Sequence, residues 1–150
     1  MITTIEDLHE HLQWAIELEH ATIPPYLCAL YSIKDGSNIE SVEVIQSVFI
    51  EEMLHMALVA NIMIATGGSP KLDYPEFIAK YPTPLPHSDE SFQVDLNKFS
   101  PESIECFLKI ERPANADAPS QDEGFASIGQ FYKALDEGLV YLSQKLGDKV

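Results

Sequence analysis

Glu52 and His55 stand three residues apart in the stretch Glu51-Glu52-Met53-Leu54-His55. On an α-helix that spacing sends both side chains out on one face, about one turn apart. A carboxylate and an imidazole so placed form the unit with which helical bundles hold a pair of iron or manganese ions. Glu-x-x-His also arises by chance on solvated helices, so its surroundings have to decide. Ile45, Phe49, Met56, Val59 and Met63 fall on the same stripe as the pair, which is therefore expected to point inward. A carboxylate turned into an apolar core is costly unless it is paired or bound to a metal. The bland alternative is a buried Glu–His hydrogen bond.

A second carboxylate comes from the N-terminal helix. Leu8, Leu12, Ala15, Ile16, Glu19, Ile23, Tyr26, Leu27 and Leu30 repeat at helical spacing, which places Glu19 on the apolar stripe. Glu17 lies nearer its edge, and Glu17-x-x-His20 is a second carboxylate–imidazole pair by spacing alone. Glu6-x-x-His9, at the helix start, reads as surface. In the last helix Gln130 and Glu137 are one heptad apart on a face shared with Ala134 and Tyr141. Either is a weaker candidate ligand, set against a capping role for Gln130 with Ser127 and a solvated Glu137. His87, between Pro86 and Ser88, reads as surface.

These side chains need a scaffold, and the pattern predicts an all-α one. Helices are expected over about residues 4–34, 39–66, 101–111 and 127–146, in a single domain of residues 1–150. Thr4 and Asp7 make an imperfect capping pair. Asp35-Gly36-Ser37-Asn38 is a turn and helix start. Gly67-Gly68 closes the second helix, and Ser100-Pro101 opens the third. Pro24-Pro25 removes two backbone donors and is expected to kink or break the first helix near Ala21-Thr22. Glu19 precedes the turn by about as many residues as Glu52 follows it. At 1.5 Å per residue both lie roughly 25 Å from the turn, so an antiparallel hairpin brings Glu19, Glu52 and His55 together. From Ser69 to Phe99 the chain turns irregular, with Pro70, Pro75, Pro82, Pro84 and Pro86 among Tyr74, Phe77, Tyr81 and Phe92. So apolar a segment is expected to pack over the bundle, with Gln93-Val94-Asp95-Leu96 extended.

The bulk properties narrow the function classes. A net charge of −15 over 150 residues argues against nucleic acid and anionic membranes as partners and suits a protein that attracts cations. The longest apolar run, Met56 to Ala65, is interrupted by Asn61 and is too short to span a bilayer. The polar, acidic opening Thr3-Thr4-Ile5-Glu6-Asp7 has no leader character. Cys28 and Cys106 are far apart in helical patterns, and read as free thiols in a cytoplasmic protein.

Three blocks of sequence carry a likeness to a known family. Glu19-His20-Ala21-Thr22-Ile23-Pro24-Pro25-Tyr26-Leu27, Glu51-Glu52-Met53-Leu54-His55-Met56 and Ser127-Ile128-Gly129-Gln130-Phe131-Tyr132 resemble the ferritin-like domain of the iminophenyl-pyruvate dimer synthase family. The Tyr-Pro and Leu-Pro segments, and Phe99-Ser100 through Ile110-Glu111, fit the same pattern. The resemblance therefore covers nearly the whole chain. That family includes enzymes that couple two imine forms of aromatic 2-oxo acids in bisindole pigment biosynthesis, and many stand-alone domains without a known role. The resemblance implies a ferritin-like antiparallel bundle with a metal site, Glu19, Glu52 and His55 occupying the matching ligand positions. It carries no substrate, because the dimerising enzymes are far larger chains.

A complete site of this kind takes a Glu from each of two helices and Glu-x-x-His from each of two others. The sequence offers three long helices and one short one, and no convincing second Glu-x-x-His beyond residue 55. The fourth long helix is therefore absent or supplied by another chain, or the site is incomplete. Two readings follow. One is a dimetal oxidoreductase in which two iron ions (manganese or zinc being alternatives) bring dioxygen to a small organic substrate in a pocket beneath the Tyr/Pro segment, with Tyr26 or Tyr132 lining it. The other is a non-catalytic or degenerate bundle that holds a metal or a partner. An incomplete bundle leaves an apolar groove, so a homo-oligomer is expected.

Overall fold

Four helices follow one another in the computed structural model, which describes residues 1–147: α1 (Ile5–Ser32), α2 (Ile39–Ala65), α3 (Pro101–Ile110) and α4 (Ile128–Leu146). Asp148, Lys149 and Val150, the end of the expected domain, lie outside the described residues. The only paired strands among the described residues are two short ones, β1 (Thr83–Pro84) and β2 (Gln93–Val94), antiparallel with Thr83 opposite Val94. The architecture is all-α, with three long helices, one short one and a long irregular crossing between α2 and α3.

The helix ends follow local chemistry. Thr4 accepts from the Asp7 N–H while the Asp7 carboxylate accepts from the Thr4 N–H, so the capping box closes with Asp in place of Glu. At the end of α2, Gly68 N–H bonds to Met63 C=O and Gly67 N–H to Ile64 C=O. These are the paired bonds of a Schellman stop, with Gly67 at φ +85 where a side chain would be strained. Ser100 caps α3 and Pro101 occupies its first turn.

The double proline does not break α1, which runs helical through both residues. Pro25 has no N–H, so the Ala21 carbonyl four residues back loses its helical donor. The Tyr81 hydroxyl takes that place, donating to the Ala21 oxygen at 2.7 Å. A residue of the irregular segment therefore repairs the helix, and one reason the segment lies where it does is this unfilled acceptor.

α1 is the hub. It packs chiefly against α2, and also against α4 and α3. Leu8, Leu12, Ile16 and Leu18 of α1 meet Phe131, Leu135 and Leu142 of α4 and Val59 and Met63 of α2 in one buried cluster. α2 behaves differently. Only Ile45, Glu52, Val59 and Met63 are buried in its 27 residues, although the helix is apolar nearly all round. By length and composition Ile39–Ala65 is apolar enough to cross a membrane, which its longest uninterrupted apolar run conceals. In this fold it packs one face on α1 and leaves large aliphatic side chains on the other.

Candidate metal centre

The hairpin of α1 and α2 brings Glu19, Glu52 and His55 together, with one donor atom of each within 4.8 Å of the others. Glu19 and Glu52 are 3% and 6% exposed. The heights inferred by counting residues from the turn thus agree with the observed meeting of the two helices. His55 departs from expectation. Its side chain is 48% exposed, because it lies at the rim of the α2 stripe whose centre is Ile45, Glu52, Val59 and Met63. Its Nδ1 stands 3.6 Å from Glu19 Oε2 and 3.9 Å from Glu52 Oε1. Those separations are too long for hydrogen bonds, so the bland reading of a buried Glu–His hydrogen bond does not apply. They match the roughly 3–4 Å between two donors that share an ion at metal–ligand distances of about 2.0–2.2 Å.

Electrostatics makes the site unsettled without a cation. Glu19 and Glu52 are buried side by side, and a charge out of water needs a partner. Burial, then the neighbouring Glu19, pushes the Glu52 carboxyl up to about 8. Burial also raises Glu19, against hydrogen bonds from Glu52 and Tyr132 that favour its ionised form. The pair therefore holds a proton near neutrality in the metal-free state. The Thr22 hydroxyl lies 2.8 Å from the Glu19 carbonyl and 2.9 Å from Glu52 Oε2, and Tyr132 donates to Glu19 Oε1. These two hydroxyls orient the carboxylates from the oxygens turned away from His55. A donor set of two carboxylates and an imidazole suits iron, manganese or zinc.

The other sequence candidates lie elsewhere. Glu17 accepts from Tyr74 and Gln13 and contacts His87 Nε2 at 2.9 Å, which holds it well below the usual carboxylate range against its burial. His20 stacks on Phe77, with ring centroids 4.3 Å apart, so Glu17 and His20 form no joint site. Gln130 accepts from the Ser127 hydroxyl and donates to the Pro119 carbonyl, a structural use at the start of α4. Glu137 accepts from Ser120 on the surface. His87, expected on the surface, is half-buried between the Glu17 carboxylate and the Trp14 ring, on which it stacks with centroids 4.2 Å apart and planes nearly parallel.

Glu111 is the residue that the sequence reading passed over. It lines a cavity of about 250 Å³ with Glu19, Glu52, His55, Arg112 and Tyr132, and accepts a hydrogen bond from Tyr26. Burial raises its carboxyl, and so does the field of Glu52. Its signal in the sequence was a carboxylate directly after the apolar end of α3, followed by Arg112-Pro113. A second cavity of about 320 Å³, almost wholly apolar, opens between Leu58, Val59, Ile62, Tyr132 and the Glu19–His55 pair. The space beneath the Tyr/Pro segment exists too, about 330 Å³ beside Glu17, Ala21 and Phe77. Glu19, Glu52 and His55 do not line it, and Tyr26 is fully buried away from all three cavities.

Comparison with known proteins agrees with the all-α fold. The profile of the ferritin-like family matches residues 12–150. The chain belongs to the ferritin-like family. A ferritin-like protein from Caulobacter vibrioides, solved as a crystal structure, superposes on the bundle with a TM-score of 0.79 at 34% identity. The alignment covers 95% of this chain and 55% of that one, so the chain spans about half the length of that relative. No curated protein matches.

Proposed function

We propose that this ferritin-like bundle is a metal-dependent oxidoreductase, with Glu19, Glu52 and His55 as ligands to iron and with dioxygen and a small organic molecule as co-substrates. The observation that supports it is the pair of buried carboxylates from two helices, with an imidazole at ligand-sharing distance from both. Iron in such a donor set supplies one-electron and dioxygen chemistry, and the protein supplies position and shielding. Glu19 and Glu52 would bind through the oxygens not held by Tyr132 and Thr22. His55 would bind as the neutral imidazole through Nδ1. Tyr132 and Glu111 would line the substrate space next to the metal, with the Tyr132 hydroxyl placed to give or take a proton at Glu19 Oε1. The finer kinship with the iminophenyl-pyruvate dimer synthases is part of the same proposal, and rests on the Thr22-Ile23-Pro24-Pro25-Tyr26 block. A second reading, a bundle that holds metal without turnover, is favoured by the donor set itself: only Glu19, Glu52 and His55 gather among the described residues, with no second Glu-x-x-His to complete a dimetal centre.

The test is elemental analysis after anaerobic incubation with ferrous ion and desalting, beside Glu52→Ala. Retained iron that the variant loses, with consumption of dioxygen on exposure to air, is the expected result. Retained iron that is inert to dioxygen would favour the second reading. No retained iron would defeat both.

A further inference from the structure

Arg112 lines the same cavity as all three proposed metal ligands, and is the only Lys or Arg that does. Its guanidinium forms no ion pair with a carboxylate among the described residues. The adjacent Glu111 does not take it, because that carboxylate accepts from Tyr26 instead. Pro113 follows Arg112 and holds its backbone extended, which fixes where the side chain starts. The start of α4 lines the same cavity through Ile128 and Gly129. Ser127 opens α4 without a side-chain cap bond, no acidic residue lies in its first turn, and the Ile128 and Gly129 N–H groups donate to no described residue. A Cβ at Gly129 would lie 3.1 Å from Ala114 Cβ and 3.2 Å from Ala114 N. The bare glycine therefore lets the segment that carries Arg112 close against this helix start. A guanidinium and the free amides of a helix start both donate, and both favour a negative oxygen.

We infer that Arg112 selects a small carboxylic acid for this cavity, binding its carboxylate together with the first turn of α4 and leaving its carbon chain to the metal. This rests on the metal reading above and names the class of its substrate. The planar guanidinium matches the two oxygens of a carboxylate, which a single point charge does not. A neutral or cationic molecule would bury Arg112 without a partner, at a cost in desolvation. A phosphate would bring a second negative charge beside Glu111. The rest of the wall is Ile110, Pro113, Ile128 and the Tyr132 ring, which fits an apolar body, and a volume of about 250 Å³ keeps that body small. Charge sets the order of binding. In the metal-free cavity Glu19, Glu52 and Glu111 oppose an anion. A divalent ion between Glu19 and Glu52 cancels two of those charges and leaves Arg112 against Glu111 alone, so the acid binds more tightly after the metal.

The experiment titrates hexanoate, and its neutral counterpart hexanamide, into the full chain loaded with Mn(II). The readout is the paramagnetic broadening of the ligand's proton signals, which needs the ligand bound close to the ion. Elemental analysis confirms the metal content of each sample. Hexanoate should broaden saturably and hexanamide should not. Arg112→Gln alters an exposed position, and circular dichroism confirms that the variant is folded. It should hold Mn(II) as the parent does and bind hexanoate more weakly by about tenfold or more, the loss of a charge-assisted pair. Arg112→Lys keeps the charge without the fork and should recover part of that loss. Hexanamide that binds as well as hexanoate overturns the inference and leaves the metal reading standing. So does hexanoate that binds Mn(II)-loaded Arg112→Gln with unchanged affinity, since the acid would then sit on the metal alone. Failure of the parent to retain Mn(II) overturns the metal reading and this inference together.

Discussion

Metal-free protein should lose stability as the pH rises from 5 to 8, and Glu52→Gln should abolish most of that loss. The Glu52 carboxyl has an ordinary value of 4.5 and is pushed up to about 8 in the fold, chiefly by burial. Between those values the folded chain holds a proton that the unfolded chain has released. Stability therefore falls with rising pH, at a limiting rate of about 1.36 kcal/mol per pH unit. Over pH 5 to 8 the sum is about 3 kcal/mol, an upper limit because Glu19 is raised in the same sense and titrates with it as a pair. For a chain of this size that corresponds to about 6–12 °C in Tm. Other groups act in different windows. Glu17 and Asp7 are lowered, so the stability they contribute is lost only in acid, as pH falls through their folded values. Burial lowers His20, which adds stability as pH rises toward 6.5. Both terms cancel in the difference between Glu52→Gln and the parent. The assay is urea unfolding followed by circular dichroism from pH 5 to 8.5 in the presence of chelator. The expected outcome is a gap that widens with pH in favour of the variant. Parallel curves for the two proteins would refute the reasoning. Metal inverts the sign, because a ligand must be deprotonated to bind. With saturating Mn(II) the parent should become the more stable of the two.

Other expectations follow from single contacts. His55→Ala removes a half-exposed ring, so stability in chelator should change by less than about 1 kcal/mol. Metal affinity should fall by more than the 10–100-fold typical of outer partners, measured by competition with a chelating dye. Tyr81→Phe leaves the Ala21 carbonyl without a donor and should cost about 1–3 kcal/mol in urea unfolding. An unchanged midpoint would mean that water replaces the phenol. A Cβ at Gly68 would lie 2.8 Å from Met63 Cγ and 2.9 Å from His9 Cδ2. Gly68→Ala should therefore destabilise by about 1–3 kcal/mol, read as a lower Tm.

The helices, the caps at Thr4 and Ser100 and the meeting of Glu19 with Glu52 were legible because each rests on local spacing, whereas Asn38 opens α2 without a side-chain cap bond. Period 3.6 places a residue on a face, and equal counts from the turn set equal heights. What escaped the sequence depends on contacts between distant segments. The apolar stripe of α2 has no clear edge, since the helix is apolar nearly all round, so the exposure of His55 followed only from where α1 lies. The survival of α1 through Pro24-Pro25 depends on Tyr81, and the burial of His87 depends on Glu17 and Trp14, each arriving from far along the chain. Glu111 sits at the end of a short helix where periodicity is too brief to assign a face. A heptad relation between Gln130 and Glu137 says nothing about which neighbours their polar atoms find.

All three proposed ligands lie within the first 55 residues, in one helical hairpin, while Tyr81, Glu111 and Tyr132 reach it from much later in the chain. Closing a short hairpin loses less loop entropy than docking a segment many tens of residues away. The order of folding is thereby biased, with α1 and α2 pairing first and the Tyr/Pro crossing and α4 arriving afterwards. Pulse-labelled hydrogen exchange should accordingly show amide protection in both hairpin helices before it appears at Gln93–Val94. An ion present during refolding would meet its donors already gathered, and would act as an early cross-link that speeds collapse of the remainder.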